Sequence, residues 1–260
     1  MILLLGGTSE TPQIANLLAK SNVDVLISNL TEYQVDWDMS KGIRLRHGAL
    51  DVEGMCELIA KEGITAIVDA AHPYAEQLHY TAMEASSVAN IQYYRYERPG
   101  VNYAGYDIEF AEDHQQAATR AFRIARSVLL TTGTRNLEPY VEIVRDTNSK
   151  LYVRVLPCQK SMDICKKYAI DNDHIITEQG PFTVKRNIEV IKKYSIDVLV
   201  TKDSGIAGGV PEKLEAAKAC GIKVVVIRKP VITQKTGESF CKIPKLIKKL
   251  SCYAKEIMKD

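Results

Sequence analysis

The sequence predicts an α/β protein built from two Rossmann-like, doubly wound parallel-sheet domains that flank a cleft. Short β-branched and aliphatic runs alternate with longer amphipathic segments from the first residue almost to the last. The clearest runs are continuously apolar, as strands are when helices cover both faces of a parallel sheet. Alternation of strands with helices favours the doubly wound class, and 260 residues suffice for two such domains.

The first domain is predicted over residues 1–98. An apolar run predicts the opening strand at 2–5, and apolar residues at helical spacing predict a helix at 11–20. The same criteria predict strands at 23–28, 42–46, 66–70 and 92–95, and helices at 52–62 and 75–89. The pattern breaks at Arg98-Pro99-Gly100, which places the domain boundary there, because proline and glycine interrupt both kinds of element.

The second domain is predicted over residues 99–260. Helices are expected at 114–126, 162–168, 184–194 and 211–219, and strands at 128–131, 151–156, 174–177, 198–201 and 224–227. Pro211 supports the start of one of these helices, since proline is favoured in a first turn. A Lys-rich helix at 244–259 closes the chain, and the sequence leaves its packing open.

The composition excludes several classes of function. A formal charge of +2, from 34 basic and 32 acidic residues, provides no overall field for nucleic acid. The apolar run before Gly6 is too short for a signal peptide or a membrane span, so we expect a cytoplasmic protein with no membrane partner. The six cysteines have no metal-ligand spacing, which predicts reduced thiols and no metal site.

The junction of the first strand and the first helix is a candidate phosphate-binding turn. Gly6 and Gly7 let the backbone approach a pyrophosphate, and Thr8 and Ser9 offer hydroxyl groups. The free N–H groups at the start of a helix favour an anion. The full G-x-G-x-x-G spacing is absent, so a tight turn that merely needs small residues is the alternative.

The end of the second strand is the expected ribose site of a dinucleotide. Ser28, Asn29 and Thr31 are suited to hydrogen-bond the ribose of NADH or NADPH. No Arg or Lys follows the strand directly, and Glu32 would repel the extra phosphate of NADPH, which weakly favours NADH. A solvated loop is the alternative for Glu32.

A histidine follows the fourth strand, within Asp69-Ala70-Ala71-His72-Pro73-Tyr74-Ala75. His72 is placed to orient the nicotinamide ribose, bind a substrate carboxylate or donate a proton. Pro73 is expected to start the next helix. A structural role is the alternative for His72, and His79 on that helix is expected to be structural or exposed.

Two arginines bracket the end of the first domain. Arg95 and Arg98 are candidate substrate anchors, because guanidinium groups bind carboxylates through two parallel hydrogen bonds. The alternative is ion pairing at the surface, for example with Glu97.

Two turns of the second domain also suit an anionic ligand. Gly133 and Arg135 follow the strand at 128–131, with a structural turn as the alternative. The loop after the strand at 198–201 carries Lys202, Ser204, Gly205 and Gly208. Dense glycine costs backbone entropy, so this loop favours ligand approach or loop closure over a plain connection.

An ordered set of segments runs through nearly the whole chain. In order they are Leu4-Leu5-Gly6-Gly7-Thr8-Ser9-Glu10, Asp69-Ala70-Ala71-His72-Pro73-Tyr74-Ala75, Glu97-Arg98-Pro99, Leu130-Thr131-Thr132-Gly133, Arg154-Val155-Leu156-Pro157, Gly180-Pro181-Phe182, the Lys202–Pro211 loop with Glu212-Lys213, and Arg228-Lys229-Pro230. Each segment alone is weak evidence for a family, but the ordered set is specific. Because it carries this ordered set, the chain resembles the precorrin-6A reductase / cobalt-precorrin-6A reductase family.

The resemblance implies reduction of one macrocycle double bond of precorrin-6A or cobalt-precorrin-6A in cobalamin biosynthesis. It implies NADH or NADPH held mainly by the first domain, and an anionic tetrapyrrole substrate whose cobalt, where present, belongs to the substrate. A glycine-arginine pair that often follows strand two in the family is missing here, in agreement with the weak preference for NADH. Transient contact with neighbouring pathway enzymes is a further expectation.

Within that reaction, His72 and Lys202 are the candidate catalytic residues, because adding hydride to an imine-like system needs polarisation or a proton. His72 and Pro73 are also expected at the cofactor. The candidate substrate-binding residues are Tyr74, Arg95, Arg98, Gly133, Arg135, Arg154, Lys202, Ser204, Gly205 and Gly208.

Two other functions fit a pair of α/β domains. A nucleotide-sugar glycosyltransferase would need a nucleobase and diphosphate site in the C-terminal half. A non-catalytic dinucleotide-sensing module would keep the Gly6-Gly7 turn but would leave the Lys202 loop without a purpose.

Overall fold

The computed structural model describes residues 1–30, 42–233 and 236–257 of the chain. It divides the chain into two compact units. The first unit combines Met1–Pro99 with Pro230–Asp260, and the second unit is Gly100–Lys229. Each unit has one six-stranded sheet whose strand pairs are all parallel. The predicted α/β class with two Rossmann-like sheets is confirmed.

The described elements follow the predicted alternation. The strands are β1 (Ile2–Leu5), β2 (Val25–Asn29), β3 (Ile43–His47), β4 (Ala66–Asp69), β5 (Gln92–Tyr96), β6 (Ile108–Ala111), β7 (Ser127–Leu130), β8 (Lys150–Val155), β9 (Ile175–Thr177), β10 (Val198–Lys202), β11 (Lys223–Ile227) and β12 (Glu238–Phe240). The helices are α1 (Thr11–Lys20), α2 (Val52–Glu62), α3 (Glu76–Val88), α4 (His114–Ile124), α5 (Glu138–Arg145), α6 (Gln159–Lys167), α7 (Val184–Lys193), α8 (Val210–Cys220) and α9 (Ile243–Ile257). In the described part of the chain no helix is long and apolar enough to cross a bilayer.

The first sheet has the strand order β12-β5-β4-β1-β2-β3, which is the order of a dinucleotide-binding sheet. Its outermost strand β12 pairs with β5, and α9 places Leu246 and Leu250 in the core of the same unit. Residues 230–260 therefore belong with the first unit, whereas the sequence analysis assigns 99–260 to the second domain. The difference arises because three residues of β12 are too few to show a period.

The second sheet has the order β6-β11-β10-β7-β8-β9. Read from β9, it repeats the order of the first sheet, with β6 in the outermost position that β12 fills in the first. Strand β6 precedes the rest of its unit in the chain and pairs with β11. Each sheet is thus completed by a strand that is out of chain order.

Strand β1 shows why the strands are apolar throughout. Leu4 packs in one core cluster with Ile14 of α1 and Leu246 of α9, whereas Leu3 packs in another with Met55 of α2. Successive strand residues point to opposite faces, so a strand covered on both faces buries every side chain. This packing fixes the carboxyl ends of the strands, where ligands bind in doubly wound sheets.

Candidate active site

The carboxyl ends of three strands meet in the first unit. The amide of Gly6, after β1, donates to the carbonyl of Ser28 in β2 at 3.0 Å. The amide of Ala70, after β4, donates to the carbonyl of Leu5 at 3.0 Å, and the hydroxyl of Thr8 donates to the carbonyl of Ala70 at 2.9 Å. The glycine turn and the loop after β4, both predicted at the cofactor, are therefore tied directly to each other.

The two glycines of the turn are needed for different reasons. A Cβ atom at Gly6 would lie 2.4 Å from Asn29 Oδ1 and 2.8 Å from Thr11 Cγ2, so only glycine fits. Gly7 has a φ of +99°, which disfavours any side chain. Asn29 Oδ1 is buried and has no hydrogen-bond partner among the described residues. An acceptor oxygen beside a glycine turn at a helix start fits a hydroxyl group of a dinucleotide.

Ser9 and Glu10 precede α1 and are engaged with Arg98. The Ser9 hydroxyl donates to Glu10 Oε2 at 2.9 Å, and Arg98 donates to both carboxylate oxygens of Glu10, at 2.7 and 2.6 Å. Burial alone would raise the pKa of Glu10, but the hydrogen bonds and charge of Arg98 outweigh it and lower that pKa. Arg98, predicted as a substrate anchor, is placed by the structure in an ion pair with Glu10, next to the glycine turn after β1.

A basic residue that the sequence analysis misses lies at the predicted ribose site. Arg46 on β3 is opposite Ser28 on the neighbouring strand β2, and its guanidinium donates to Ser28 Oγ at 2.6 Å. It also donates to the carbonyls of His47 and Gly48, at 3.1 and 3.0 Å. Thr31, expected at the ribose, and Glu32, which carries part of the expected cofactor preference, lie outside the described residues.

The loop after β4 forms a turn at His72. The Ala75 amide donates to the carbonyl of His72 at 2.8 Å, and the Tyr74 amide lies 3.3 Å from His72 Nδ1. The rings of His72 and Tyr74 are 5.6 Å apart. Pro73 does not start the next helix as expected, because this turn intervenes and α3 begins at Glu76.

A buried ionic network supports this loop. Asp69, the last residue of β4, is fully buried, and its Oδ2 accepts from Tyr93 Oη at 2.6 Å and Arg95 Nη1 at 3.0 Å. His79 Nδ1 lies 2.7 Å from the same oxygen. Burial would raise the pKa of Asp69, but the hydrogen bond and charge of His79, with Arg95 and Tyr93, lower it. Arg95, predicted to bind substrate, is thus engaged with Asp69.

The second unit brings polar residues to the corresponding edge of its own sheet. Lys202 ends β10, and burial, followed by the nearby charge of Arg135, lowers its pKa. His114 opens α4, and its Nδ1 lies 3.2 Å from the hydroxyl of buried Tyr140. Burial, with a contribution from the charge of Lys202, lowers the pKa of His114 to about 4. Lys202, Arg135 and a neutral His114 therefore share this edge.

The glycine-rich loop after β10 is a defined turn. Gly205 has a φ of +77° and Gly209 a φ of +70°, which explains these two glycines. Gly208 lies in the 3₁₀ turn between them, and Ser204 Oγ lies 3.5 Å from its carbonyl. Lys213 of α8 donates to the carbonyls of Gly208 and Gly209, both at 3.2 Å, and burial lowers its pKa to about 8. Lys213 therefore holds the loop, a role that is not predicted from the sequence.

Arg154, near the carboxyl end of β8, is buried among neighbouring side chains. The residue is 5% exposed, and its guanidinium stacks on Phe182 at 4.3 Å and donates to Asn187 Oδ1 at 2.8 Å. Its Nε is 3.6 Å from Glu178 Oε2. Of these three neighbours, Glu178 carries the negative charge that a substrate carboxylate would otherwise supply.

Apolar and small residues complete this edge. Leu156 follows β8 and Ile206 lies in the loop after β10, and both side chains are exposed. Gly133 follows β7 with a φ of +79°.

Across the ranges that the structure describes, no three His, Cys, Asp or Glu side chains are grouped to hold a metal ion.

Comparisons with known proteins identify the family. The profile of "Precorrin-6x reductase CbiJ/CobK" matches residues 1–251. A cobalt-precorrin-6A reductase of Priestia megaterium is 33% identical over 233 residues, which cover 89% of this chain and 91% of that protein. A precorrin-6A reductase of Rhodococcus erythropolis is 29% identical over 241 residues, which cover 90% and 91%.

The chain belongs to the precorrin-6x reductase CbiJ/CobK family. The solved structure of "CobK precorrin-6A reductase" has the same fold, with a TM-score of 0.78 at 23% identity over 96% of this chain and 95% of that one. The predicted reaction, reduction of precorrin-6A or cobalt-precorrin-6A in cobalamin biosynthesis, is confirmed. The glycosyltransferase and sensing-module alternatives are set aside, and the expected preference for NADH has no support from CbiJ/CobK membership.

Proposed function

We propose that this CbiJ/CobK chain reduces cobalt-precorrin-6A with NADPH. The observation that carries the choice of cofactor is Arg46, which lies beside Ser28 at the end of β2. In doubly wound sheets the ribose lies at this position, and a nearby arginine accommodates the extra phosphate of NADPH. The cobalt form is proposed because the relative that is 33% identical is named for it.

The cofactor would lie over the first sheet. Gly6 and Gly7 leave room for its pyrophosphate, Asn29 Oδ1 accepts from a ribose hydroxyl, and Arg46 binds the 2′-phosphate. Arg98 neutralises the carboxylate of Glu10, which would otherwise repel a phosphate at the start of α1. When bound, NADPH supplies a hydride, and the macrocycle takes up that hydride and one proton.

The substrate would contact the carboxyl edge of the second sheet. Lys202 and Arg135 offer positive charge to the macrocycle carboxylates, and exposed Leu156 and Ile206 offer apolar surface to the ring. Gly133, Ser204, Gly205 and Gly208 form the turns between them. Arg154 is assigned to the support of this edge, because its burial leaves little surface for a ligand.

His72 and Lys202 remain the proposed catalytic residues. His72 holds its ring at the cofactor loop, next to Tyr74, where it can orient the nicotinamide ribose. Lys202 is a cation at the proposed substrate edge, where it can polarise the accepting bond or deliver the proton. Arg95 is assigned to the support of the loop after β4, because Asp69 binds its guanidinium.

The decisive experiment is anaerobic turnover of precorrin-6A and its cobalt form, each with NADH and NADPH, followed by absorbance. We expect cofactor oxidation with a spectral change of the macrocycle, fastest for NADPH with the cobalt form. Faster turnover with NADH, or with the metal-free substrate, would reject the corresponding half of the proposal. No oxidation in any mixture by folded protein would reject both halves.

A further inference from the structure

Three consecutive residues of the loop after β4 have backbone groups held by side chains. The Ala70 carbonyl accepts from the Thr8 hydroxyl at 2.9 Å. The Ala71 amide donates to Asp69 Oδ1 at 3.0 Å. The His72 carbonyl lies 3.1 Å from His79 Nε2. The last contact is made by an imidazole that is fully buried in α3.

Asp69 fixes the imidazole of His79 from the opposite side. Its Oδ2 lies 2.7 Å from His79 Nδ1 and accepts from Tyr93 and Arg95, at 2.6 and 3.0 Å. A carboxylate with this many donors has one orientation, and it sets the orientation of the ring. Arg95 Nη2 lies 3.2 Å from His79 Nε2, but a ring nitrogen that donates to the His72 carbonyl cannot also accept from Arg95, so Arg95 joins the network through Asp69.

We propose that His79 is a positioning residue that sets the conformation of the turn from His72 to Ala75 through the carbonyl of His72. The inference rests on the proposed function, in which the turn from His72 to Ala75 contacts the bound dinucleotide. The same carbonyl also accepts from the Ala75 amide at 2.8 Å, so its direction determines how the turn closes. His79 itself is buried and has no contact with cofactor or substrate in this scheme; it acts by holding the loop.

Two substitutions separate the two hydrogen bonds of the ring. In His79→Gln the amide nitrogen lies about as far from the backbone as Nε2 does, so a donor to the His72 carbonyl is kept. In His79→Asn the amide nitrogen lies about as far from the backbone as Nδ1 does, so only the bond to Asp69 is kept. Met83→Ala is the matched control, because Met83 is buried one turn after His79 in the same helix and its thioether cannot donate a hydrogen bond to the loop.

NADPH affinity, measured by cofactor fluorescence, is the first readout. Since a hydrogen bond contributes about 0.5–1.5 kcal/mol, we expect His79→Asn to weaken NADPH binding by about 3- to 10-fold. His79→Gln and Met83→Ala should stay within about 2-fold of wild type. The KM for NADPH should rise in His79→Asn, while kcat at saturating NADPH stays near the wild-type value.

The outcomes separate this inference from the proposed function. No binding of NADPH to wild-type protein would reject the proposed function itself. Binding by wild type together with equal affinities in His79→Asn and His79→Gln would reject the positioning role alone. If His79→Asn does not fold, amide exchange at Ala75 decides: slow exchange in wild type and His79→Gln supports the role, and fast exchange in His79→Gln contradicts it.

Discussion

Glu10 and Arg98 form a two-point ion pair, with oxygen–nitrogen distances of 2.7 and 2.6 Å, and their side chains are 10% and 8% exposed. The pair joins the start of α1 to the residues that follow β5, which are 88 positions apart in the chain. It also cancels a negative charge at the turn proposed to bind a pyrophosphate. We therefore expect this one contact to serve both stability and cofactor binding.

Replacing one partner of this pair should separate the two effects. Arg98→Met leaves the carboxylate of Glu10 buried and unpaired, which costs about 3 kcal/mol of unfolding free energy. It should also weaken NADPH binding, because the unpaired charge of Glu10 repels the pyrophosphate. Urea denaturation and a fluorescence titration of NADPH measure the two effects.

The control for this experiment is Arg123→Met. Arg123 pairs with Glu109 at 3.0 Å, but its side chain is 64% exposed, so we expect a loss below about 1 kcal/mol. The double variant Glu10→Gln/Arg98→Met should recover NADPH binding relative to Arg98→Met. Failure to recover it would mean that Arg98 binds the cofactor directly.

The cofactor preference is predicted to depend on Arg46. Arg46→Gln removes a charge-assisted contact to the 2′-phosphate, a contact that contributes about 1.5–3 kcal/mol. We therefore expect KM for NADPH to rise by about 10- to 100-fold, while KM for NADH stays within about 2-fold. Steady-state kinetics with both cofactors measure the change.

Arg44→Gln is the matched control, since Arg44 lies on the same strand but pairs with Glu62 at 2.6 Å. Its NADPH kinetics should match those of wild type. An equal rise in KM for NADPH and NADH in Arg46→Gln would place the arginine at the pyrophosphate or ribose instead.

Much of the fold was readable because each element has a local cause. A helix is predicted at 52–62, and α2 has the same bounds. Asp51 caps its start by accepting from the Gly54 amide at 2.9 Å, and Gly63 ends it in a left-handed conformation. Strands β6 and β12 were missed because both are short edge strands with few fully buried residues. The placement of β12 depends on its pairing with β5, a long-range contact that has no local signal.

In the candidate site, too, some residues have a local signal in the sequence and others are placed by long-range contacts. Gly6 and Thr8 follow from the chemistry of a single turn, and the structure does bring them to the loop after β4. Arg46 could not be found by inspecting the residues after β2, because the register of β3 against β2 brings it beside Ser28. His79 is expected to be structural or exposed, and the structure shows a buried, structural residue; its partner Asp69 is ten positions away, so the contact itself has no local signal.

Lys202 is predicted to act as a cation on the substrate. Lys202→Met should lower kcat/KM for the macrocycle by about 100-fold or more, as removal of a general acid does. The affinity for NADPH should not change, because the proposed cofactor site lies in the other unit. The control is Lys223→Met, at the opposite end of a neighbouring strand, with wild-type kinetics expected.

The pH profile supplies an independent check on Lys202. Burial, followed by the charge of Arg135, lowers the pKa of Lys202 below its usual 10.5, so activity should fall as pH rises through that lowered pKa. Arg135→Gln removes one cause and should move the alkaline limb of kcat/KM upward. If the alkaline limb is unchanged in Arg135→Gln and persists in Lys202→Met, that limb reports the titration of another group.

Stability at acid pH is predicted to depend on His114. Burial, with the charge of Lys202, lowers the pKa of His114 to about 4 in the folded chain, against 6.5 for an ordinary histidine. Between these values the unfolded chain binds the extra proton, so the free energy of unfolding falls as pH decreases from about 6.5 to about 4. A difference of this size corresponds to at most about 3 kcal/mol.

His114→Gln removes the titrating group and should flatten this part of the curve of unfolding free energy against pH. NMR titration of the His114 ring checks the cause directly, with a midpoint near pH 4 expected. In Lys202→Met that midpoint should move upward, because one of the two depressing causes is gone. A His114 midpoint near 6.5 in wild type, or a steep loss of stability retained in His114→Gln, would contradict the assignment and leave the acid sensitivity to the buried carboxylates.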